Sequence, residues 1–464
     1  MKKDLTILET LDLAVQNHKK NNYQDAINLY NSILDKEPNH FSSILNLGSL
    51  FLQISKFDLA KPLLEKAIQI DPNNKVAFNN LGLTLKEMNE NLQAVSCFKK
   101  TILIDPNFSI AHNNLGTSLK ELGEIQKAID CYKQAIKINP NYLNAYNNLG
   151  LTYMELQEYD KAIIYYEKAI KINPKFANTH NNLGVIFMEL EQYEKATESF
   201  EKAIEINPNH LDASNNLLRF LFKMDDKTNF LNKLDDRINK GENNALIGSL
   251  ITRSKVKYGI KRSNPFCKEP LSYIIKVNLN DQYDFKNIFV KKIKNIIESD
   301  KLLSRKQDLL TNGYQTAGNL FTKKNHSIDN IKKIVYSEVK KYQTHFKESN
   351  EGFIKNWPTS FNLNAWLVSM KSGGKLSAHI HEKGWLSGSI YINVPPKSKT
   401  DSGNLVLCLS DQEHKLGVEK SHQSIIDVVT GTLCLFPSSL HHCTVPFEEQ
   451  EDRIVLAFDV TPKN

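Results

Sequence analysis

The chain has 464 residues, 41% of them hydrophobic and 24% charged, which is typical of a folded globular protein and argues against a disordered or membrane-spanning one. This length exceeds what one hydrophobic core supports and predicts about two to four domains. The net charge of +7 comes from the second half, because 23 basic residues face 26 acidic ones over 1–222, whereas 36 face 26 over 223–464. No arginine cluster or nucleic-acid motif accompanies this excess, so we expect no nucleic-acid partner.

The start of the chain and its cysteines predict a cytoplasmic protein with no membrane partner. No apolar segment follows the opening MKKD, and no apolar run approaches the roughly 18 residues that a membrane span needs. The six cysteines contain no Cys-x-x-Cys pair, so we expect free thiols in a reducing compartment rather than structural disulfides.

The first half of the sequence repeats itself with a period of 34 residues. A proline, a glycine and an alanine keep this step, and an aromatic residue or leucine follows each alanine four residues later. The prolines are Pro38, Pro72, Pro106, Pro140, Pro174 and Pro208, and the glycines are Gly48, Gly82, Gly116, Gly150 and Gly184. The alanines are Ala26, Ala60, Ala94, Ala128, Ala162 and Ala196, followed by Tyr30, Leu64, Phe98, Tyr132, Tyr166 and Phe200. This pattern resembles the tetratricopeptide repeat (TPR) family.

The resemblance implies that residues 1–222 form an all-α TPR superhelix. Each recurring residue has a mechanical reason: glycine lets the first helix of a repeat approach the second, alanine is the small residue at their crossing, and proline ends the second helix. The segment LDASNNLLRFLF at 211–222 is interpreted as a capping helix. The six repeats are 7–40, 41–74, 75–108, 109–142, 143–176 and 177–210.

One side of each first helix is predicted to point away from the packing residues. At about 100° per residue, the packing positions of the second repeat share one side, and the residue just before the leucine lies opposite. These opposite positions form an asparagine column: Asn46, Asn80, Asn114, Asn148, Asn182 and Asn216. Seven residues after the first of them stands Gln53, and the equivalent later positions form a carboxylate column: Glu87, Glu121, Glu155 and Glu189.

The asparagine column is a candidate peptide-binding surface. An amide offers both a donor and an acceptor, which matches the main chain of an extended peptide. The arrangement is similar to the asparagine ladder in the repeats of O-GlcNAc transferase, which grips substrate peptides through their backbone. The implied partner is a protein or peptide on the concave face of the TPR superhelix. The alternative is that these asparagines are solvated amides of a regular repeat consensus.

After the capping helix the period is lost. The stretch 223–264, rich in lysine and asparagine, predicts a helical linker, and residues 265–464 predict a separate domain. There, a strand-like LSYIIKVNL precedes helices around 284–303 and 326–348, and short apolar runs follow from Phe361 to the end. Runs broken by Gly, Pro or Asp-Ser predict an antiparallel sandwich or jelly roll rather than βαβ units.

Four motifs stand in this β-rich region: HIH, LSGSIYINVP, GTLCLFPSSLHH and the arginine of DRIVLAFDV. Their order resembles the double-stranded β-helix of 2-oxoglutarate and iron(II) dependent oxygenases, and more narrowly a bacterial 2OG-Fe(II) oxygenase group that is often appended to such repeats. The resemblance covers residues 361–460 best. It implies a jelly-roll domain with flanking helices, with Fe(II) and 2-oxoglutarate as cofactors and O₂ as a substrate.

The resemblance also implies the site residues. In that family an early strand supplies His-x-Asp or His-x-Glu, a later strand supplies a second histidine, and an arginine or lysine further on binds the far carboxylate of the co-substrate. The second histidine here is His441 or His442, and alignment of FPSSLHH with the family motif selects His442. The implied metal ligands are therefore His379, His381 and His442, and Arg453 is the implied anchor of 2-oxoglutarate.

His381 departs from the family, because it stands where the oxygenases have a carboxylate. Residues i and i+2 of a strand share a side, so His379 and His381 can reach one metal, whereas Glu382 should face away unless the strand ends there. Three neutral imidazoles still bind Fe(II), Zn(II) or Cu(II), and they leave more positive charge on the site. Ser387 and Tyr391 are candidate hydrogen-bond partners of the co-substrate, with a packed side chain as the alternative for Tyr391.

Three functions are compatible with these features. The first is a Fe(II)/2-oxoglutarate-dependent dioxygenase that hydroxylates a protein or peptide held by the repeats. The second is a non-catalytic scaffold with a degenerate oxygenase-like domain, and the third is a three-histidine metalloenzyme of the cupin sort that does not use 2-oxoglutarate. Arg453 favours the first over the third, since a co-substrate anchor has no purpose there. His414 and His422 lie in a polar loop and are interpreted as surface residues.

Overall fold

The chain divides into two compact units, Met1–Leu217 and Leu218–Asn464. The structure is a computed structural model. It describes residues 5–88, 90–299, 304–305, 309–316, 318–322, 326–397, 399–410 and 422–463.

The first unit is built of paired helices, two to a repeat. Each second helix ends two residues before a proline, as at Ile70 and Pro72, because proline cannot continue the helix. Helix Leu211–Lys223 follows, over the segment interpreted as a cap. The pairs are Ile7–Lys19 with Tyr23–Lys36, Phe41–Gln53 with Phe57–Ile70, Lys75–Glu87 with Asn91–Ile104, Ser109–Glu121 with Ile125–Ile138, Leu143–Glu155 with Tyr159–Ile172, and Ala177–Glu189 with Tyr193–Ile206.

The recurring glycines lie under the large side chain of the paired helix. A Cβ at Gly150 would stand only 2.7 Å from the ring of Tyr166. In the second repeat, where Leu64 replaces the aromatic residue, a Cβ at Gly48 would stand 3.0 Å from the nearest atom. The ring therefore fills the space that a side chain would need, and the glycine allows the two helices to pack at that distance.

The segment predicted as a linker belongs to the second unit. It holds helices Lys227–Asn239 and Ala245–Tyr258. The second of these is buried at every position from Ala245 to Thr252, and a Cβ at Gly248 would stand 2.8 Å from Phe266. The first two turns of this helix are therefore surrounded by packed residues rather than by solvent.

Further helical segments flank the sheets of the second unit. The helix predicted around 284–303 is a π-helical turn followed by a short helix, and the one predicted around 326–348 is a single long helix. The segments are the 3-10 turns Pro270–Tyr273, Leu279–Asp281 and Leu320–Thr322, the π turn Lys286–Val290, and the helices Lys291–Ser299, His326–His345 and Gly352–Lys355.

The strands form two antiparallel sheets. They are β1 (Ile275–Asn278), β2 (Ser304–Arg305), β3 (Leu310–Thr316), β4 (Phe361–Leu376), β5 (Leu386–Asn393), β6 (Leu405–Cys408), β7 (Gln423–Ile426), β8 (Thr432–Pro437), β9 (His441–Thr444) and β10 (Arg453–Pro462). The larger sheet has the order β1-β8-β5-β10-β4-β3-β2 and the smaller one β7-β6-β9. The antiparallel sheets confirm the predicted fold class and are consistent with an oxygenase jelly roll.

Strand β10 shows how the larger sheet uses both faces. Ile454, Leu456, Phe458 and Val460 belong to the hydrophobic core that the sheet shares with the flanking helices. The alternate residues point to the opposite face, because successive side chains of a strand alternate. Three of these alternate residues line a cavity: Arg453, Val455 and Ala457.

Candidate active site

A cavity of about 230 Å³ lies between the two sheets. Aliphatic and aromatic side chains such as Trp366, Leu405 and Phe436 form much of its wall. The polar groups come from β3, β5, β9, β10 and the segment that follows β4. They are Gln315, His379, His381, Ser387, Ser389, Tyr391, His442, Thr444 and Arg453.

Three histidines meet in this cavity. The candidate ligand atoms of His379, His381 and His442 all lie within 4.8 Å of one another, and the Nε2 atoms of His379 and His381 are 3.2 Å apart. His379 and His442 are partners in an isolated antiparallel bridge, with N···O distances of 3.2 and 2.9 Å. Among the described residues, this is the one group of three or more His, Cys, Asp or Glu side chains placed to hold a metal ion.

Each of the three rings uses its Nδ1 atom on the side away from the cluster. His379 Nδ1 donates to the carbonyl oxygen of Ser377 at 2.8 Å, and His442 Nδ1 lies 3.4 Å from the carbonyl oxygen of Leu440. His381 Nδ1 lies 2.6 Å from the Oδ1 atom of Asp459. A proton on Nδ1 in each ring leaves the Nε2 lone pairs for a shared metal, which is the tautomer that such outer partners select.

Burial keeps two of these imidazoles neutral. Burial, together with the neighbouring His381, lowers the pKa of His379 to about 4. Complete burial also holds the pKa of His442 well below its usual range. Neutral imidazole is the form that binds metal, so both rings are available as ligands at neutral pH without first losing a proton.

Arg453 brings a buried positive charge to the same cavity. Its side chain is 2% exposed, its Nε donates to the carbonyl oxygen of Gly403 at 3.2 Å, and its guanidinium lies 5.0 Å from the ring centre of Tyr391. Burial lowers the pKa of Arg453, yet an arginine stays protonated at neutral pH. No described carboxylate forms a salt bridge with it. A buried positive charge is unfavourable without a counter-charge, so Arg453 is suited to bind an anionic ligand in the cavity.

Family comparisons agree with this geometry. Residues 364–459 match the family described as "Putative 2OG-Fe(II) oxygenase". Tetratricopeptide repeat families match residues 41–74, 63–95, 97–130, 116–157, 143–176 and 177–210. The chain carries TPR repeats followed by a 2OG-Fe(II) oxygenase family domain. No curated protein sequence matches it.

Several solved structures are similar to parts of the chain. The MamA protein is 27% identical, with 37% of this chain and 93% of that chain covered and a TM-score of 0.33. PilF of Pseudomonas aeruginosa is 20% identical, with 42% and 90% covered and a TM-score of 0.39. The Cut9–Hcn1 hetero-tetramer of the APC/C is 18% identical, with 47% and 43% covered and a TM-score of 0.43.

The HIH segment of the oxygenase domain is not the regular strand that the sequence predicted. Strand β4 ends at Leu376, His379 lies in the isolated bridge, and His381 directly precedes a turn. Both rings nevertheless reach the same cavity. Glu382, expected to face away, lies in the turn and accepts a hydrogen bond from Arg219 at 2.6 Å.

Among the described residues, no other histidine joins the cluster. His442, and not His441, takes part in it, as the alignment with the family motif selected. The two are neighbours on β9 and therefore point to opposite faces of the smaller sheet. The carbonyl oxygen of His422 pairs with Leu409, beside a second cavity, and His414 lies outside the described residues.

Ser387 and Tyr391, proposed from sequence as partners of the co-substrate, have other contacts. Ser387 Oγ donates to Asp459 Oδ1 at 2.8 Å and lies 2.8 Å from the Oγ of Ser438. Tyr391 is 1% exposed and packs against Arg453. Ser387 thus supports the group behind His381, while Tyr391 matches the packed alternative.

Asp459 is a site residue that the sequence reasoning missed. It is 8% exposed and contacts His381 from the side opposite the cavity. Its spacing from Arg453 could have indicated it. The two residues are six positions apart on one strand, and because this number is even, both side chains lie on the same face.

The asparagine column of the repeats is half-buried rather than free on the surface. Five of its members donate a hydrogen bond to the preceding repeat: Asn114 Nδ2 donates to Asn79 Oδ1 at 3.1 Å, and Asn148 Nδ2 donates to Asn113 Oδ1 at 2.9 Å. An amide has two N–H donors and an oxygen with two lone pairs. These bonds therefore use part of the capacity of each side chain and leave part of it. The remaining pairs are Asn80 with Ser49, Asn182 with Tyr166, and Asn216 with Asn181.

The carboxylate column is exposed at Glu87, Glu121, Glu155 and Glu189. Two of its members have lysine partners: Lys86 lies 3.0 Å from Glu87, and Lys120 lies 2.7 Å from Glu155. Pairs this exposed contribute little to stability, so the carboxylates remain available to other cations.

All six cysteines are free thiols. None of the described helices combines the length and the apolar character needed to cross a membrane.

Proposed function

We propose that this protein is a Fe(II)/2-oxoglutarate-dependent dioxygenase that hydroxylates a protein or peptide held by its TPR repeats. One observation carries the proposal: three histidines and a buried arginine line the same cavity. Each imidazole is held at Nδ1, and Arg453 has no salt bridge with a described carboxylate.

His379, His381 and His442 would hold the metal. Three neutral nitrogen donors suit Fe(II), and the family of the domain favours it over Zn(II) and Cu(II). When bound, Fe(II) with 2-oxoglutarate and O₂ supplies the oxidation of a C–H bond, which the side chains of a protein cannot perform. The role of the chain is to hold and orient these groups.

Arg453 would anchor the far carboxylate of 2-oxoglutarate. A guanidinium offers a planar fork of donors that matches a carboxylate, and in a dry cavity such a pair is strong. The Nε atom of Arg453 is held by the carbonyl oxygen of Gly403, and its Nη1 lies 4.0 Å from Met370 Sδ, which is a weak acceptor, so the outer N–H groups can still bind a carboxylate. Apolar walls that include Trp366 and Phe436 limit the water that competes for them.

The repeats would hold the substrate. TPR repeats mediate protein–protein interactions, and the unused amide groups of the asparagine column can pair with the main chain of an extended segment. The exposed carboxylate column should favour segments that contain lysine or arginine, and added salt should weaken that preference.

The deciding experiment is an anaerobic titration of the metal-free protein with Fe(II) and 2-oxoglutarate. Chelation of both groups should give the visible metal-to-ligand charge-transfer band, and admission of O₂ should convert 2-oxoglutarate to succinate. Arg453→Leu is the matched control, since it should bind Fe(II) normally and lose the band. A protein that binds Fe(II) but gives neither band nor succinate contradicts the proposal.

The three-histidine set itself favours a second candidate, a metalloenzyme that does not use 2-oxoglutarate. His381 removes the ligand carboxylate of the family, and three-histidine sites occur without a co-substrate. In that case Arg453→Leu should leave ligand and metal binding unchanged. The unpaired charge of Arg453 supports the first candidate instead.

A further inference from the structure

The three histidines differ in what lies behind them. The Nδ1 atoms of His379 and His442 face neutral backbone carbonyls, those of Ser377 and Leu440. Only His381 faces a carboxylate, that of Asp459 at 2.6 Å. His381 is also the one position of the three where the chain departs from the oxygenase pattern. The predicted ligand set lacks a carboxylate, but a carboxylate is present behind His381, in contact with its Nδ1 atom.

Asp459 is held in place independently of the histidine. It lies on β10 between its register partners Asn364 on β4 and Ser387 on β5, in the middle of the larger sheet. Ser387 Oγ donates to Asp459 Oδ1 at 2.8 Å and is itself 2.8 Å from the Oγ of Ser438. A strand with neighbours on both sides, together with this hydroxyl, leaves the carboxylate little freedom to turn away.

The charge of Asp459 is directed at His381. In the part of the chain that the structure describes, its ion-pair partner is His381, with no lysine or arginine within salt-bridge distance. The carboxylate of an aspartate that is only 8% exposed is costly without a compensating positive charge. A metal bound through His381 Nε2 would supply that charge, and the carboxylate would in turn make the imidazole a better donor and fix its tautomer.

We infer that Asp459 replaces, from behind His381, the carboxylate that the oxygenase family places directly on its metal. It acts as a positioning residue and a charge partner, not as a ligand. The formal charge of the metal with its surroundings thereby returns to that of two histidines and one carboxylate. This inference rests on the proposed three-histidine metal site but not on 2-oxoglutarate.

The test measures Fe(II) and Co(II) affinity under anaerobic conditions in five variants and the wild type. Asp459→Asn keeps the shape and removes the charge, and should weaken the metal by about 10- to 100-fold, as for other outer partners of ligating histidines. Ser387→Ala should have a smaller effect in the same direction. Asp427→Asn is the matched control, because this aspartate pairs with Lys397 and does not line the histidine cavity, and its affinity should equal that of the wild type.

A double substitution separates the charge from any structural role. His381→Asp places a ligand carboxylate beside Asp459, so the two negative charges repel and Asp459→Asn should then strengthen metal binding instead of weakening it. A change that merely damages the fold would weaken binding in both backgrounds. That result, or unchanged affinity in Asp459→Asn alone, overturns the inference.

A second measurement needs no metal. Nitrogen NMR of the metal-free wild type should show His381 protonated at Nδ1, and Asp459→Asn should alter that signal while sparing those of His379 and His442. A proton on His381 Nε2 with none on Nδ1 overturns the inference. A wild type that binds neither Fe(II) nor Co(II) overturns the proposed function with it, whereas normal binding by both wild type and Asp459→Asn overturns this inference alone.

Discussion

The repeats and the oxygenase domain place their polar side chains in opposite ways. In the repeats, one arrangement recurs, so that Asn114 and Asn148 make the same bond to the repeat before them. In the oxygenase domain, each polar residue comes from a different element and has a partner of its own, as Arg453 has Gly403 and His381 has Asp459. Substitution of one repeat residue should therefore weaken peptide binding only slightly, whereas substitution of one cavity residue should abolish binding of the metal or of the co-substrate.

The largest expected effect tests the cavity side of this comparison. His442→Ala should lose tight metal binding, by more than the roughly 10- to 100-fold typical of outer partners, because one of three ligands is missing. His441→Ala is the matched control, since the adjacent ring lies on the other face of β9 and should leave metal affinity intact. Calorimetric titration with Fe(II) measures both. The reverse pattern would mean that the cavity faces the other histidine.

A smaller effect is expected at the co-substrate anchor. Arg453→Leu should weaken 2-oxoglutarate by about 2 to 4 kcal/mol, as for a buried charge pair that loses one partner, while Fe(II) affinity stays the same. Arg453→Lys keeps the positive charge but loses the planar pair of donors, so its 2-oxoglutarate affinity should lie between that of the wild type and that of Arg453→Leu. Affinities come from the visible band in anaerobic titration. Equal loss of metal and 2-oxoglutarate would show that the residue serves the fold rather than the ligand.

In the repeats, the strongest single change should act on packing. Gly150→Ala brings a methyl group to 2.7 Å from the Tyr166 ring and should lower the free energy of unfolding by about 1 to 3 kcal/mol, as for other overpacked sites. Gly48→Ala should cost less, because Leu64 can give way more easily. The urea midpoint, followed by helical circular dichroism, measures each variant. Gly150→Ala combined with Tyr166→Leu should recover stability. If it does not, the clash with the Tyr166 ring is not the cause of the loss.

The smallest effects are expected from single asparagines. Asn148→Ala should cost about 0.5 to 1.5 kcal/mol of stability through its bond to Asn113, and peptide affinity should fall further only when Asn114, Asn148 and Asn182 are changed together. Asn113→Ala is the matched control, because it removes the same bond but keeps the column. Calorimetric binding of an extended basic peptide measures the difference. Equal affinities in the triple variant and the control would leave the column a purely structural feature.

The sequence predicted the repeats well because their fold is local and periodic. Every glycine of the 34-residue pattern meets its partner 16 residues later, as Gly150 meets Tyr166, so both members lie within one repeat. The same regularity concealed the bonds of the asparagines. The partner of Asn148 is Asn113, 35 residues earlier, and a helical wheel of one helix does not show its neighbour in the next repeat.

In the oxygenase domain, the motifs indicated the residues that face the cavity but not those behind them. Asp459 contacts His381 across 78 positions of sequence, and such a contact follows from strand order and register, which no motif carries. The contact of Ser387 with Asp459 was hidden for the same reason, since the motif gives the strand of Ser387 but not what the adjacent strand places beside it. The burial of helix Ala245–Tyr258 likewise depends on Phe266 and other residues beyond it in the chain.

The bridge between His379 and His442 bears on how the site fills. Two of the three rings are joined by a pair of backbone hydrogen bonds, which set their Cα atoms about 5.5 Å apart whether or not an ion is present. These two ligands therefore lose most of their conformational entropy during folding rather than during metal binding. An incoming ion would meet this pair with His381 already held beside it by Asp459. The amide protons of His379 and His442 should accordingly exchange slowly with solvent already in the metal-free protein.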